Sequence, residues 1–364
     1  MVYPERIRQA RELCGLTQGQ LAALVGVNQS AIAHIEGGRN IPSSDVLTSI
    51  ATQTGFRPSF FEREPVDGFS LGSLVLRGRA VLTAREQARA YQYAKIMFEQ
   101  VRIMAEHLNI PPVRLPSVTE SPMTAARVTR VAFGLSPDAP IRNLVHSIEK
   151  HGILVFALPI ALEKLDAFST WAEVGGERPI IAVSSGKPGD RLRFSIAHEL
   201  GHLVMHQAIR GRMVVAERQA DKFAAEFLLP EKAIEQEIAP PVTLTSIARL
   251  KPRWGVSMQA LIRRSHELGI ITERQYRYLF EQLSCRGWRT NEPGNLDVPV
   301  EKPQVIVKMI EQLYGGASIV ESYASDMHLT TRRAVEFIGS YAEYRKPATQ
   351  TYVVSPGQLA HSRN

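Results

Sequence analysis

The sequence predicts a mainly α protein with a small antiparallel β-sheet, an α+β fold. Apolar residues recur at helical spacing over most of the 364 residues, and only between residues 152 and 184 does the pattern change to short β-rich runs. The chain is too long for one ordinary core, so two or three domains are expected. We predict a helical module over 1–64, a helical connector and linker over 65–120, a sheet-containing domain over 121–240, and a helical, basic C-terminal region over 241–364.

The composition excludes several classes of protein. With 44% hydrophobic and 22% charged residues, the chain is typical of globular proteins. No apolar run approaches the roughly 20 residues that cross a bilayer, and the N-terminus has no apolar signal core, so we expect a cytoplasmic protein without a membrane partner. Two distant cysteines, Cys14 and Cys285, argue against a disulfide framework or a cysteine zinc site. The net charge of +7 permits nucleic-acid binding without identifying it.

Short amphipathic segments separated by glycines fill the first 64 residues. Thr17 is placed to cap the second segment, which Gly26 ends. Asn28 is placed to cap the third, which ends at Gly37-Gly38. A short helix, a tight turn and another short helix form a helix-turn-helix.

This stretch resembles the Xre/Cro/C1-type DNA-binding domain over about 60 residues. The resemblance is carried by LTQ (16–18), LA (21–22), the turn Gly26-Val27 and IxxIEGGRxxPS (32–43). It implies a five-helix domain that binds double-stranded DNA. A module that binds protein, or that no longer binds DNA, stays open as an alternative because residues 1–64 are nearly balanced in charge.

The same resemblance implies which residues touch DNA. Gln29 to His34 would face the major groove, and Gln18 would touch a phosphate. The chemistry agrees, since the Gln29 amide can pair with adenine while Ser30 and His34 are polar neighbours on one face.

The middle of the chain alternates between helical and β patterns. We expect helices at about 84–108, 123–133 and 141–151, with a proline-rich linker at 109–118. The runs GILVFALP and ERPIIAVSS, with AFSTWAEV between them, predict the antiparallel sheet, and a helix follows from about 192 to 206.

Two histidines on that last helix have the spacing of metal ligands. His198 and His202 stand one turn apart on one face, where neutral imidazoles can bind one zinc ion. Glu199 directly follows the first histidine, where it can act as a general base. This is the HExxH arrangement of two ligands and a base.

Catalytic zinc takes a third protein ligand and keeps one position open. The next helix, VVAERQADKFAAEFLLP (214–230), offers Glu217, Asp221 and Glu226. Glu217 and Asp221 share one face at i, i+4. One carboxylate can therefore bind the metal while the other accepts an N–H from a ligand histidine and fixes its tautomer.

Residues 122–235 resemble the ImmA/IrrE family of zinc metallopeptidases through RFSIAHELGHLVMH (193–206) and AERQADKFAAEFLLP (216–230). The helix pair is similar to that of the thermolysin-like (gluzincin) peptidases. The resemblance also implies an extended substrate along an edge of the predicted sheet. It implies that Zn²⁺ is bound by His198, His202 and Glu217, that Glu199 is the catalytic base, and that Asp221 orients a ligand histidine.

His206 lies a further turn along the same face as His198 and His202. A turn rises about 5.4 Å, so three successive residues of this row cannot all reach one zinc ion at about 2 Å. We expect His206 to pack or hydrogen-bond at the helix end; a role beside the ligands or toward substrate is the alternative.

The pattern of residues 244–293 predicts basic helices. One of these helices is expected to begin after its cap Ser257 and to end at Gly269. Packing against the preceding domain is favoured over a second DNA contact. Residues 300–345 carry more helical pattern, and the tail from 351 to 364 is expected to be loosely ordered.

Together these features predict a DNA-binding regulator with a zinc-dependent endopeptidase domain. The family resemblance implies cleavage of a partner repressor or antitoxin-like regulator encoded nearby, in a stress or mobile-element response; a homodimer is left open. One alternative is a DNA-binding regulator whose zinc domain senses metal or a ligand without proteolysis. Another is the toxin of a toxin–antitoxin pair. An intact Glu199 favours catalysis, because a structural zinc site has no use for a base there.

Overall fold

The computed structural model describes residues 1–66, 69, 82–173, 176–206, 213–316 and 318–341. The N-terminal module forms as predicted, with four α-helices and a final 3-10 helix. The Thr17 side chain accepts a hydrogen bond from the Gln20 N–H, Asn28 accepts one from Ala31, and Gly26 has a φ of 73° where the second helix ends. The elements are α1 (Pro4–Leu13), α2 (Gln18–Val25), α3 (Gln29–Glu36), α4 (Ser44–Thr54) and the 3-10 helix Pro58–Glu62.

Among the described residues between this module and the sheet there are three helices. They are α5 (Ala84–Ala105), α6 (Pro122–Ala132) and α7 (Leu144–Glu149). Thr83 and Glu86 form a capping box that begins α5. The proline-rich linker at 109–118 contains neither helix nor strand.

In the part of the chain that the structure describes, the sheet has three strands in the order β1-β3-β2: β1 (Leu154–Leu158), β2 (Ala167–Glu173) and β3 (Glu177–Ser184). β2 pairs antiparallel with β3, but β1 pairs with β3 in parallel. The prediction of an antiparallel sheet is therefore wrong for β1, and the sheet is mixed. The alternation of apolar and polar residues shows which face of a strand is buried, but it does not show which strand pairs with it. The chain reverses direction twice, and in the described residues β1 and β2 lie on opposite sides of β3. An isolated bridge also joins Phe69 to Ala172 of β2.

Both faces of the sheet are buried, each against a different core. Phe156 and Phe168 point into a core shared with the N-terminal module and α5. Val155 and Ile181 point into a second core built around the helix that carries the HExxH sequence. The sheet therefore separates the N-terminal module from the candidate metal site.

The remaining helices divide between the two cores. The second core contains α8 (Gly189–Met205), α9 (Met213–Leu228), α10 (Glu231–Glu237), α11 (Leu244–Trp254), α12 (Met258–Glu267) and α13 (Glu273–Cys285). The first core receives α14 (Val305–Tyr314), α15 (Ile319–Asp326) and α16 (Thr331–Tyr341). Ser257 caps α12 as predicted. The predicted tail, 351–364, lies outside the described residues.

Polar contacts fix the N-terminal module against its neighbours. Arg6 of α1 forms a buried ion pair of 2.6 Å with Glu99 of α5. Thr330, next to α16, donates its hydroxyl to the backbone carbonyl of Gly55 at 2.7 Å, and an isolated β-bridge joins Phe56 to Leu329. The module is thus packed into the body of the protein rather than tethered to it. In the described part of the chain, no helix combines the length and hydrophobicity needed to cross a bilayer.

Candidate metal centre and DNA-binding face

The candidate metal site lies where α8 and α9 pack closely together. A Cβ built on Gly201 would lie 3.0 Å from the Phe223 ring, so glycine inside the HELGH sequence lets α9 approach α8. Phe223 and Phe227 stack behind this contact with their ring centroids 5.5 Å apart. This packing brings one carboxylate of α9 over the two histidines of α8.

Three side chains converge at this contact. The Nε2 atoms of His198 and His202 lie 3.1 Å apart. The Glu217 carboxylate lies 3.4 Å from His198 Nε2 and 3.2 Å from His202 Nε2. One donor atom from each residue falls within 4.8 Å of the others, and both histidines are buried.

This donor set fits a catalytic zinc ion. Two imidazole nitrogens and a carboxylate oxygen are ligands that zinc takes, and three protein ligands leave a fourth position open. The two imidazole nitrogens face each other and the same carboxylate. One cation bound between them would accept a lone pair from each group. Asp221 Oδ1 lies 2.7 Å from His198 Nδ1. A carboxylate oxygen accepts, so His198 Nδ1 carries the proton and Nε2 presents its lone pair to the cluster.

His206 lies beside the cluster and not in it. Its Nδ1 is 3.2 Å from His202 Nδ1, and its Nε2 is 2.9 Å from Gln219 Oε1. Burial lowers the pKa of His206, while the hydrogen bond to Gln219 raises it. The expected hydrogen-bonding role at the helix end therefore matches the position of His206, whose partners are the ring of His202 and the amide of Gln219.

Glu199 is fully buried beneath the cluster, on the sheet side of α8. The Ser169 hydroxyl donates a hydrogen bond of 2.7 Å to Glu199 Oε2. Ser169 lies on β2, and sequence reasoning missed it. No local pattern distinguishes this serine, because its position beside Glu199 depends on the packing of β2 against α8.

The third carboxylate candidate, Glu226, is separated from the metal cluster. Its carboxylate accepts a hydrogen bond of 2.8 Å from Arg127 and another from Arg264. These contacts join α6, α9 and α12. The side chain therefore has a structural position in the second core.

A cavity of about 1010 Å³ runs alongside α8 and α9. Asp221 is one of its lining residues, so the cavity adjoins the carboxylate that contacts His198. Phe194 and Leu229 contribute apolar walls, and Arg263 and Arg289 contribute cationic ones. The cavity is large enough to take side chains of a bound peptide.

The candidate DNA contacts of α3 are exposed on one surface. Gln29, Ser30 and His34 all face outward from this helix, and the Ser30 hydroxyl donates to Asn28 Oδ1 at 2.8 Å. Gln18 is only partly exposed, and its amide donates a hydrogen bond of 2.9 Å to Glu36. Its contact with a phosphate stays a prediction.

Comparison with known proteins gives two family matches. A family model described as a helix-turn-helix matches residues 7–61. A peptidase M78 model, described as an IrrE N-terminal-like domain, matches residues 148–266 and thus spans both helices of the metal site. A search of curated proteins finds no match to the chain.

Proposed function

This chain has the ImmA/IrrE-type architecture, a helix-turn-helix domain combined with a metallopeptidase-like domain, and on that premise we propose that it is a zinc-dependent, gluzincin-like endopeptidase. The two domains indicate a DNA-binding regulator, and the proposal assigns a catalytic reaction to the second domain. The observation that carries it is the convergence of His198, His202 and Glu217 above a buried Glu199.

Each residue of the site receives a role in this proposal. His198, His202 and Glu217 hold Zn²⁺, and Asp221 keeps the proton of His198 on the nitrogen that faces away from the metal. When bound, zinc supplies a Lewis acid that polarises a peptide carbonyl and acidifies water. Glu199 takes a proton from the attacking water and returns it to the leaving amine. The Ser169 hydroxyl donates a hydrogen bond to one oxygen of Glu199. This bond fixes the orientation of the carboxylate for the proton transfer.

The substrate is proposed to bind as an extended strand along an edge of the sheet. An edge strand pairs with an added strand through its backbone N–H and C=O groups. In the described residues β1 and β2 are the outer strands, and Phe69 already forms a β-bridge with Ala172 of β2. The cavity that Asp221 lines provides room for side chains of the bound peptide.

The partner is proposed to be a helix-turn-helix repressor or antitoxin-like regulator encoded nearby. The exposed face of α3 supports binding to double-stranded DNA, with Gln29, Ser30 and His34 toward the bases and Gln18 toward a phosphate. Binding at the promoter that the partner also occupies would bring the peptidase domain to its substrate.

A second candidate function is a DNA-binding regulator whose zinc domain senses metal without proteolysis. One observation favours it: the sheet packs against α8 on one face and against the core of the DNA-binding module on the other. A change in α8 on metal binding therefore has a short, packed route to that module. A buried base is unnecessary for such a sensor, so the presence of Glu199 makes catalysis the first choice.

Co-expression with the neighbouring regulator tests the proposal. Wild type, Glu199→Gln and the control Glu235→Gln, which changes an exposed acid of α10, are each expressed with that partner, and the partner is analysed by mass spectrometry. We expect discrete fragments with wild type and Glu235→Gln and an intact partner with Glu199→Gln. An intact partner with wild type, together with zinc-dependent DNA binding, would replace the peptidase by the sensor.

A further inference from the structure

A hydrogen-bonded row of three side chains extends from the metal cluster to α9. His202 Nε2 faces Glu217, and His202 Nδ1 lies 3.2 Å from Nδ1 of His206. On the far side of its ring, His206 Nε2 lies 2.9 Å from Gln219 Oε1. The row thus connects a candidate metal ligand, through a second histidine, to a neutral amide.

The chemistry of these atoms fixes the protons. An amide oxygen has no proton to give, so His206 Nε2 must donate to Gln219. A neutral imidazole has one donor and one acceptor nitrogen, so Nδ1 of His206 accepts. The only hydrogen bond left between the two Nδ1 atoms is one in which His202 donates.

We infer that Gln219, acting through His206, holds the proton of His202 on Nδ1 and so leaves the Nε2 lone pair of His202 directed at the metal position. Gln219 and His206 are positioning residues, since neither contacts the cluster of donor atoms. The inference rests on the proposed assignment of His198, His202 and Glu217 as metal ligands.

The opposite polarity of the row is incompatible with a metal ligand. If a donor replaced the Gln219 oxygen, His206 Nε2 would accept, its Nδ1 would donate, and Nδ1 of His202 would have to accept. The proton of His202 would then lie on Nε2, where Glu217 and His198 converge. The identity of residue 219 therefore decides whether the Nε2 lone pair of His202 is available to bind a metal ion.

The two ligand histidines are oriented by chemically different groups. His198 Nδ1 is held directly by the anionic carboxylate of Asp221 at 2.7 Å. His202 is instead oriented by the neutral side chains of His206 and Gln219. This orientation adds no second negative charge to the site. Partners of ligand histidines tune metal affinity by about 10- to 100-fold.

Two substitutions of Gln219 separate polarity from packing. Gln219→Met keeps the length of the side chain and removes the acceptor, whereas Gln219→Lys supplies only donors. Arg218→Met is the matched control, because Arg218 is an exposed neighbour on α9. His206→Gln retains an acceptor toward His202 and a donor toward Gln219, and His206→Leu retains neither.

The measurements are zinc affinity by competition with a fluorescent chelator and the tautomer of His202 by ¹⁵N NMR of the zinc-free protein. We expect the Nδ1–H form in wild type and Arg218→Met, a mixture in Gln219→Met, and the Nε2–H form in Gln219→Lys. The zinc Kd should rise about 10-fold in Gln219→Met and His206→Leu, further in Gln219→Lys, and least in His206→Gln.

Unchanged zinc affinity and a retained Nδ1–H form in both Gln219 variants would overturn the inference and leave the zinc site intact. Absence of zinc binding by wild type would instead remove the proposed zinc site. In that case the tautomer of His202 in the zinc-free variants still decides whether Gln219 controls it, so the two failures are distinguishable.

Discussion

Ser169 of β2 and Glu199 of α8 are joined by a hydrogen bond of 2.7 Å, with the serine hydroxyl donating to the buried carboxylate. This contact connects β2 to the glutamate of the HExxH sequence. It holds one oxygen of the carboxylate that moves a proton in the proposed mechanism.

Replacing Ser169 by alanine removes this hydrogen bond without touching the metal cluster. Hydrogen bonds to charged groups contribute about 1.5–3 kcal/mol, so we expect cleavage of the partner to slow by roughly 10- to 100-fold. Rates measured on purified protein, with zinc content determined in parallel, check this. Loss of zinc together with the rate would mean that Ser169 supports the fold of the site and not the base.

Zinc is expected to raise the melting temperature of the zinc-free protein. A ligand that binds only the folded state stabilises it by about 2.7 kcal/mol at 100 times its Kd. Glu217→Ala should abolish this increase, whereas Glu235→Ala, which alters an exposed acid on α10, should retain it. Differential scanning fluorimetry with a zinc titration makes the comparison. An equal increase in both variants would remove Glu217 from the ligand set.

Gln29→Ala and His34→Ala are expected to weaken sequence-specific DNA binding while leaving the fold unchanged, since both side chains are exposed on α3. A good base contact is worth about 1–3 kcal/mol, so the Kd should rise roughly 10-fold. Gln53→Ala on α4 is the control for an exposed glutamine away from this face. Fluorescence anisotropy with the protein's own promoter gives the values, and equal affinities for all variants would contradict the assigned face.

The ion pair between Arg6 and Glu99 should contribute strongly to stability, because both side chains are buried. Glu99→Ala leaves the Arg6 guanidinium without its carboxylate, and such a change costs about 3–5 kcal/mol. Glu106→Ala, at the exposed end of α5, should cost little. Urea unfolding followed by circular dichroism compares them. Similar midpoints would show that the N-terminal module is not held to α5 by this pair.

Glu149 should make the protein less stable as the pH rises. Burial raises the pKa of its carboxyl from 4.5 to about 7, although the backbone N–H groups of Gln304 and Val305 act in the opposite direction. Because the folded-state pKa lies above the unfolded one, the stabilisation is present below pH 4.5 and is lost by the time the pH passes 7.

The expected loss between pH 5 and pH 8 is about 2–3 kcal/mol. The glutamine of Glu149→Gln cannot titrate. Between pH 5 and pH 8, the unfolding free energy of this variant should therefore fall by about 2–3 kcal/mol less than that of wild type. Urea unfolding of both proteins at the two pH values tests the difference. Parallel pH dependences would assign the loss of stability to other groups.

The helices that carry the site could be predicted because their signals are local. Thr17 and Asn28 cap helices of the N-terminal module, and the spacing of His198 and His202 sets their common face. The pairing of β1 with β3 and the position of Ser169 could not be predicted, because both depend on which distant segments meet. The contact of Thr330 with Gly55 is of the same kind.

The zinc content and cleavage activity of purified wild type and Glu199→Gln test the central claim most directly. Both proteins retain the three proposed ligands, so we predict that each binds one equivalent of zinc. Only wild type should cleave the partner regulator, and a chelator should stop it. Equal cleavage by both proteins, or cleavage by wild type without bound zinc, would contradict the assignment of a zinc peptidase with Glu199 as its base.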